Sequence, residues 1–591
     1  MPDLETISKH VSESAAKNIN DWLTQPKYSE YRDELVQMIE NEQWKELEDS
    51  FFKVLEFGTA GRRGTTGVGS NRINRVTIGE SAQALCLYAK QHGGVNSAEK
   101  GIVIACDTRL SSPELSRYTA QVCAANGFKT YIFESFRATP ELSFAVRHLG
   151  CAAGIVISAS HNPPLDNGLK AYWSDGAQMA PPHDSGILKI ASEIEEVYVV
   201  EDFQEAVRAG QIEIIGAEVD DAYYKAILDQ SEGASRDIKI VYSPLHGAGQ
   251  TSVLPALKLA GFENIIPVDE QMVPDGNFPT IPSGKPNPEE RSANDMAVQV
   301  MFEQEADIAI TNDPDADRIG IMVRHKGQPF YLNGNQAAAL ATDYSLKKLQ
   351  ERGELTSNHY IVKNIVTTDM MNALAAKYGA NIYDNLLIGF KYIGAIILSK
   401  EQTEEKFVLG AEESYGLLKG SYARDKDGAT GALPIAEYAA ELKIEGKTLI
   451  DRLMELYAEL GLFIEVTEVA AYPGAKGFAT MQKIMTSLRE DPPVKIGEHN
   501  ISAVLDYKSL ERKSGDGSIE TIDCATGNVL VFEFGDRKKR ITIRPSGTEP
   551  KLKLYIQWHQ DTDNPEEDYH KVLESLKSLH ANLSAEALRR A

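Results

Sequence analysis

The chain has 591 residues and a formal net charge of -25 at pH 7, since 86 acidic residues stand against 61 basic ones. At roughly 100 to 200 residues per domain, this length predicts several domains, and the acidic surface argues against nucleic acid or an anionic membrane as a partner. The five cysteines form no C-x-x-C pair, and no apolar stretch approaches the ~18 residues of a membrane span, so we expect reduced thiols and a cytoplasmic location.

Hydrophobic patterning divides the chain into four predicted domains. Over 1–216, β-branched runs such as GIVIAC (101–106) alternate with helical patterns, which is typical of a parallel sheet with crossover helices. The same alternation recurs over 217–327 and over 328–460. Over 461–591, strand patterns separated by Gly and Asp turns predict an α+β domain. The predicted fold class is therefore α/β, with three successive mixed α/β domains and a C-terminal α+β domain.

The first polar loop, SASHNPP, follows the apolar run GIVI and contains Ser160 beside His161, with Lys170 downstream. A serine nucleophile needs a nearby base, and its phosphorylated form needs cations. The tripeptide SAS alone fits an ordinary turn. The full run with the lysine favours a nucleophile or a phosphoryl carrier.

The second loop, TNDPDADR, places Asp313, Asp315 and Asp317 at alternating positions after the apolar run ADIAI. Three carboxylates this close repel one another unless a hard cation lies between them, and oxygen ligands suit Mg²⁺ or Ca²⁺. An EF-hand is excluded, because Arg318 stands where that motif requires Gly and Arg324 stands where it requires Glu. A solvated acidic turn is the alternative, and Arg318 would be available for a phosphate.

Two further loops offer groups for a sugar and a phosphate. GAEESYG (410–416) has carboxylates and a hydroxyl, although taken alone it is better explained as an acidic turn before a helix. RPSGTEPK (544–551) combines an arginine, two hydroxyls and a glycine, which suits a phosphate cradle as well as it suits a capping turn. The run GKT at 446–448 is not a P-loop, because Glu441 stands where the first glycine is required. ATP binding is therefore unsupported.

Taken together, these loops resemble the α-D-phosphohexomutase superfamily, and most closely its phosphoglucomutase-2-like branch of phosphoglucomutases and phosphopentomutases. The resemblance covers nearly the whole chain, through FGTAGRRG, SASHNPPLDNGLKAYW, DGAQMAPPHDSGI, SPLHGAG, GKPNPEE, TNDPDADR, GFKYIG, AEESYG, RDKDGATGA and RPSGTEPKLK. It implies four domains around a central cleft, each contributing one loop.

The resemblance also implies roles for individual residues. Ser160 would carry the phosphate, and one Mg²⁺ would be held by a phosphoserine oxygen with Asp313, Asp315 and Asp317. The groups implied at the reacting oxygens are Arg63, His161, Lys170 and Lys391, with Arg62 an additional charge. The substrate-binding groups we expect are Arg318, Glu412, Ser414, Arg544, Ser546, Gly547 and Thr548. Two positions depart from the family pattern and bear on the sugar preference: Ile388, where Thr is more frequent, and Lys553, where Arg is common.

The function expected from this resemblance is that of a phosphoglucomutase. It would interconvert glucose 1-phosphate and glucose 6-phosphate through a phosphoserine, with glucose 1,6-bisphosphate as intermediate and activator. Phosphopentomutase, phosphomannomutase and glucose 1,6-bisphosphate synthase activities are alternatives that use the same site. A catalytically silent sugar-phosphate sensor is disfavoured, because the nucleophile and the acidic triad are both kept. We expect a small sugar phosphate as the partner and a monomer or homodimer as the assembly.

Overall fold

The computed structural model describes residues 4–55, 61–472, 475–546 and 551–591. The chain divides into two units, each made of separated stretches. Unit 1 comprises Met1–Ser231, Lys239–Gly320 and Leu418–Leu433. Unit 2 comprises Glu232–Ile238, Ile321–Leu417 and Pro434–Ala591.

Unit 1 begins with four short helices that have their own apolar core. They are α1 (Leu4–Ile7), α2 (Glu13–Thr24), α3 (Arg32–Glu40) and α4 (Trp44–Phe51). The Ser12 hydroxyl accepts a hydrogen bond from the Ala15 amide and so caps α2, which satisfies an otherwise unpaired backbone N–H. Trp22 and Phe51, both buried, pack edge to face at the centre of this core.

The first sheet of unit 1 has the strand order β1-β5-β4-β2-β3-β6. Its strands are β1 (Arg62–Thr65), β2 (Ile102–Cys106), β3 (Thr130–Phe133), β4 (Ala153–Ile157), β5 (Asp166–Trp173) and β6 (Ile212–Ile215). Its helices are α5 (Arg75–His92), α6 (Ser97–Lys100), α7 (Ser112–Ala125), α8 (Thr139–His148), α9 (His183–Ser192) and α10 (Phe203–Arg208). Strands β2, β3, β4 and β6 are parallel, as predicted, whereas β5 runs antiparallel to β4 and β1. A short loop reverses the chain between β4 and β5, so β5 returns along its neighbour.

Unit 1 continues with a second α/β segment. Its elements are α11 (Ala217–Leu228), β7 (Ile240–Ser243), α12 (Val253–Leu259), β8 (Ile265–Pro267), α13 (Arg291–Glu303) and β9 (Ile308–Asn312). Strand β7 lies between β8 and β9 and is parallel to both. The chain then passes into unit 2 along β10 (Ile319–His325), which pairs with β11 (Gln328–Leu332) as an antiparallel hairpin.

The third α/β segment lies mostly in unit 2 and has the strand order β13-β12-β14-β15. Its strands are β12 (His359–Lys363), β13 (Asn381–Tyr383), β14 (Lys406–Glu412) and β15 (Gly416–Lys419). Its helices are α14 (Gly334–Glu351), α15 (Met370–Tyr378), α16 (Phe390–Lys400), α17 (Gly428–Ile444) and α18 (Leu449–Leu460). Strands β13 and β14 are parallel to β12.

The C-terminal segment is a seven-stranded sheet in the order β16-β24-β23-β22-β19-β20-β21, with antiparallel pairing throughout. Its strands are β16 (Leu462–Ala471), β19 (Ala503–Asp506), β20 (Glu511–Ser514), β21 (Ile519–Thr521), β22 (Leu530–Phe534), β23 (Asp536–Pro545) and β24 (Lys551–Gln560). A separate pair is formed by β17 (Lys495–Ile496) and β18 (His499–Asn500), and the helices are α19 (Ala475–Glu490) and α20 (Pro565–Arg589). The predicted fold class, three mixed α/β segments followed by an α+β segment, is confirmed.

The five cysteines are all free thiols. Among the residues that the structure describes, none of the helices is both long and apolar enough to cross a bilayer.

Candidate active site

Ser160 lies in the loop that joins β4 to β5, which we call the serine loop (158–165). Its φ angle is 51°, in the left-handed region, and its residue surface is only 2% exposed. Its amide donates a hydrogen bond of 2.8 Å to the Ser158 hydroxyl. Because a non-glycine residue rarely keeps this conformation without support, the surrounding contacts must hold the loop in place.

Arg109 supplies that support, although none of the sequence motifs pointed to this residue. Its side chain is buried and its guanidinium donates four hydrogen bonds of 2.5–2.9 Å to backbone carbonyls of the loop region, those of Ser160, Asn162, Pro163 and Asp166. Asp107 Oδ2 lies 3.2 Å from Arg109 Nε. Burial raises the pKa of Asp107 despite the opposing charge of Arg109. The signal available in the sequence was the charged run DTR at the end of a buried strand.

The acidic loop (313–318) follows β9 and brings its three aspartates together. Asp313, Asp315 and Asp317 are at most 1% exposed, and one carboxylate oxygen from each lies within 4.8 Å of the others. The Ser160 hydroxyl donates a hydrogen bond of 2.6 Å to Asp313 Oδ2. The Arg318 amide donates one of 3.0 Å to Asp313 Oδ1. The predicted nucleophile and the predicted metal ligands are therefore adjacent within unit 1.

Two lysine ammonium groups contact the acidic loop. Lys170 Nζ lies 2.5 Å from Asp315 Oδ2 and 3.3 Å from Asp317 Oδ2. Lys426 Nζ lies 2.9 Å from Asp317 Oδ2. Burial opposes the charged form of Asp315, but Lys170 outweighs it and holds the pKa of that carboxyl below its ordinary value. Burial and the two neighbouring carboxylates raise the pKa of Asp313.

The acidic loop has the donor set of a magnesium site. Asp315 Oδ1 and Asp317 Oδ1 are both buried without a hydrogen-bond partner, and the lysines contact the other oxygen of each carboxylate. Buried oxygens that make no hydrogen bond are costly unless something coordinates them. Hard carboxylate oxygens are the ligands that Mg²⁺ prefers, so these residues fit that ion.

The remaining candidates of unit 1 occupy different positions around these loops. His161 Nδ1 lies 3.1 Å from Ser160 Oγ. Arg63 Nη1 donates a hydrogen bond of 3.3 Å to Asn162 Oδ1 in the serine loop. Arg62, by contrast, pairs with Glu80. Burial lowers the pKa of Arg63, although the nearby Asp315 opposes this effect.

Arg318 Nη1 pairs with Glu289 Oε1 at 2.5 Å, so a phosphate would have to compete with that carboxylate. Residues 56–60, which include most of FGTAG, lie outside the described residues.

In unit 2, the turn before α16 and the end of β14 are joined directly. The Gly389 amide donates a hydrogen bond of 3.0 Å to Glu412 Oε1. Gly389 has a φ of 132°, which glycine adopts at little cost. Lys391 is buried in the first turn of α16, and Ser414 is half-buried in the loop after β14. The structure thus brings the turn at 389–391 and the loop at 412–414 together.

Ile388 has a packing explanation. It is partly buried against an apolar cluster that includes Leu387, Tyr507 and Tyr555. This packing accounts for an apolar side chain at position 388, and the bearing of Ile388 on the sugar preference stays a prediction.

The predicted phosphate loop follows β23. Arg544 and Ser546 are half-buried, and the Ser546 amide donates a hydrogen bond of 2.7 Å to the Lys551 carbonyl. Lys553 stands opposite Arg544 in the register of β23 and β24. The predicted binding residues Gly547 and Thr548 lie outside the described residues.

Comparison with protein families gives three matches in succession. Models described as phosphoglucomutase/phosphomannomutase α/β/α domains I, II and III match residues 54–198, 221–327 and 333–460. Together these matches cover well over half of the chain.

Individual relatives give the same picture. The phosphoglucomutase of Staphylococcus haemolyticus strain JCSC1435 is 34% identical over 521 residues, which is 87% of this chain and 92% of the relative. That of Staphylococcus aureus strain MRSA252 is 35% identical over 514 residues, covering 86% and 91%. The open form of the Paramecium phosphoprotein pp63/parafusin has a similar fold, with a TM-score of 0.64, 17% identity and coverage of 90% of this chain and 95% of that one.

Proposed function

Because the chain belongs to the phosphoglucomutase/phosphomannomutase family and is a phosphohexomutase of the isomerase class, we propose that it interconverts glucose 1-phosphate and glucose 6-phosphate through phosphorylated Ser160 and glucose 1,6-bisphosphate. The observation that carries this proposal is the hydrogen bond between the Ser160 hydroxyl and Asp313 in a buried, cation-rich site. A serine held this way suits a reversible phosphoryl carrier.

In the proposed reaction, phosphorylated Ser160 gives its phosphoryl group to the free hydroxyl of the monophosphate, which forms the bisphosphate. The bisphosphate turns over, and Ser160 takes back the other phosphate. Two groups could accept the proton that the serine loses when it is phosphorylated. They are Asp313 Oδ2, which already accepts the hydrogen bond of the Ser160 hydroxyl, and His161 Nδ1, 3.1 Å from Ser160 Oγ. One Mg²⁺ per chain, held by Asp313, Asp315 and Asp317, would neutralise charge on the phosphoryl oxygens.

Fixed cations provide the rest of the charge balance. Phosphoryl transfer is catalysed mainly by positioning and by electrostatic stabilisation. Arg63 contacts the serine loop, and Lys170 contacts the acidic loop. The near-complete burial of Ser160 also limits access of water to a phosphoserine, which favours transfer over hydrolysis.

Residues of unit 2 would bind the sugar hydroxyls. A substrate that binds in two opposite orientations needs contacts that tolerate both, and Glu412 can accept hydrogen bonds from whichever hydroxyls face it. The fixed Gly389 to Glu412 hydrogen bond orients that carboxylate. We assign Glu412 and Ser414 to the sugar hydroxyls and Lys391 to the reacting oxygens. Arg544 with Ser546, Gly547 and Thr548 is assigned to the phosphate that is not transferred.

The test of the carrier role is phosphorylation together with turnover. After incubation with glucose 1,6-bisphosphate, intact mass should show one added phosphate in the wild-type chain and in Ser185→Ala, which alters an exposed serine of unit 1. Ser160→Ala should show none, and its activity in a coupled glucose 6-phosphate assay should be lost. A Ser160→Ala enzyme with full mutase activity would remove Ser160 from the mechanism.

The test of the sugar is a panel of 1-phosphates. The EESYG motif resembles that of glucose-using members, so we expect glucose 1-phosphate to exceed mannose 1-phosphate and ribose 1-phosphate in kcat/KM by more than about tenfold. Equal values for glucose and mannose would mean that the site does not read that hydroxyl. A higher value for ribose 1-phosphate would replace the glucose assignment by a phosphopentomutase while leaving the phosphoserine chemistry intact.

A further inference from the structure

The segment RDKDG (424–428) brings charged side chains into the interior of unit 1. It follows β15 and runs into α17. Arg424, Asp425, Lys426 and Asp427 are each at most 8% exposed. Burying this much charge is costly unless each charged group is paired. The partners of these side chains therefore indicate the role of the segment.

Lys426 links this segment to the acidic loop. Its Nζ lies 2.9 Å from Asp317 Oδ2 and 3.3 Å from Asp425 Oδ1. The other oxygen of Asp425 accepts hydrogen bonds from the Tyr172 hydroxyl at 2.7 Å and from Gln178 Nε2 at 2.8 Å. Tyr172 and Gln178 therefore hold the Asp425 carboxylate in place, and Asp425 in turn positions the Lys426 ammonium group.

Lys426 offsets one of the three negative charges of the acidic loop. Three carboxylates carry three negative charges, and the contacting ammonium groups of Lys170 and Lys426 supply two positive ones. Both lysines contact Oδ2 atoms and leave Oδ1 of Asp315 and Asp317 without a hydrogen bond. A cation can thus be coordinated while the lysines stay in place.

We propose that Lys426 is a fixed counterion of the acidic loop, which keeps the loop formed with or without a divalent cation and holds down the affinity for that cation. The inference rests on the proposed function only in taking the acidic loop as the metal site. The alternative is that Lys426 is an ordinary buried ion pair that contributes to folding alone.

The two possibilities predict opposite changes in metal binding. Loss of an outer hydrogen-bonding partner ordinarily weakens metal binding by about 10- to 100-fold. Removal of a unit positive charge one carboxylate away from a dication relieves a repulsion that, at an effective dielectric of about 20, is larger than that loss. We therefore expect Lys426→Met to bind the metal more tightly, whereas a purely structural role predicts weaker or unchanged binding.

The experiment measures Mn²⁺ binding to the full chain by electron paramagnetic resonance, without sugar phosphate, and thermal unfolding in EDTA and in millimolar Mg²⁺. The variants are Lys426→Met and Lys426→Arg, which retains the charge. Lys419→Met is the matched control, because Lys419 lies seven residues earlier, is also buried, and donates a hydrogen bond of 2.8 Å to the Gln230 carbonyl.

For Lys426→Met we expect Mn²⁺ binding at least about tenfold tighter than in the wild type, and a larger gain in Tm from Mg²⁺. Lys426→Arg and Lys419→Met should show the wild-type affinity and the wild-type gain. If Lys426→Met folds only when Mg²⁺ is present, the counterion role is supported, since the ion then replaces the missing charge. If it fails to fold even with Mg²⁺, or binds Mn²⁺ no more tightly than the wild type, the proposal is wrong.

A different result is expected if the acidic loop is not the metal site. In that case the wild-type chain would show no Mn²⁺ site that Asp315→Asn removes, whatever the behaviour of the Lys426 variants. That result would overturn both the magnesium assignment and this inference, while a wild-type site that Lys426→Met leaves unchanged would overturn the inference alone.

Discussion

Ser160 keeps a left-handed backbone conformation because Arg109 binds four carbonyls of the surrounding loop. A lysine at position 109 retains the charge but cannot supply four directed N–H donors. We expect Arg109→Lys to lower kcat by on the order of 10²-fold, since misplacement of a nucleophile by about 1 Å has that cost. KM should change little, because the hydrogen bonds of the Arg109 guanidinium go to backbone carbonyls of the serine loop region rather than to a predicted substrate-binding side chain.

Steady-state kinetics on glucose 1-phosphate would measure this effect. Arg117→Lys is the control, since Arg117 is an exposed residue of α7 in the same unit. A wild-type kcat in Arg109→Lys would mean that the serine loop holds its geometry without the guanidinium.

Sequence patterns identified the site residues whose partners are close along the chain. They missed the residues whose partners are distant along the chain. The three aspartates fall within one loop, so their proximity could be read directly. Arg109 is 51 residues from Ser160 and Lys426 is 109 residues from Asp317, and each looks like an ordinary charged residue until the chain is folded. The structure places the predicted groups of unit 1 together, and the roles assigned to them remain predictions.

At the scale of a single element, β16 contains a glutamate in an unusual environment. Glu465 stands opposite Gln557 of β24, and burial raises its pKa to about 7, with Asp369 adding to the effect and Thr368 opposing it. The native state therefore binds a proton between about pH 4.5 and pH 7 that the unfolded state has released. The stability of this part of unit 2 should fall as the pH rises through that window and level off above it.

Glu465→Gln should abolish this pH dependence, because glutamine resembles the protonated acid at every pH. Hydrogen exchange of the β16 amides at a series of pH values, corrected for the intrinsic rate, would report it. Glu468→Gln alters an exposed glutamate of the same strand and should leave the dependence as in the wild type. If Glu465→Gln shows the wild-type slope, the slope arises from other groups.

Element prediction succeeded where the pattern was local. The alternation of apolar runs and helical patterns indicated the α/β segments, and Gly and Asp turns indicated the C-terminal sheet. The reversed direction of β5 was not indicated, because strand direction depends on pairing with β4 and β1 rather than on the residues of β5. The helices α1–α4 were also missed, since short amphipathic helices give weak signals.

At the scale of the whole molecule, the acidic loop and both of its lysine partners belong to unit 1. Mg²⁺ added in the absence of sugar should therefore slow hydrogen exchange in the acidic and serine loops of unit 1. Exchange in β16–β24 of unit 2 should be unaffected. Asp315→Asn should remove the protection, and protection that persists in this variant would place the ion elsewhere.

The last stretch of unit 1 is Leu418–Leu433. It is separated from the preceding stretch of unit 1 by Ile321–Leu417, which belongs to unit 2. During translation, Asp317 is therefore made 109 residues before Lys426. A nascent chain that has just passed Gly320 has its three aspartates and Lys170 but none of the RDKDG segment. Unit 1 is therefore completed only after Ile321–Leu417 of unit 2 has been synthesised. A chain that ends between residues 318 and 425 has the acidic loop and Lys170 but lacks Lys426.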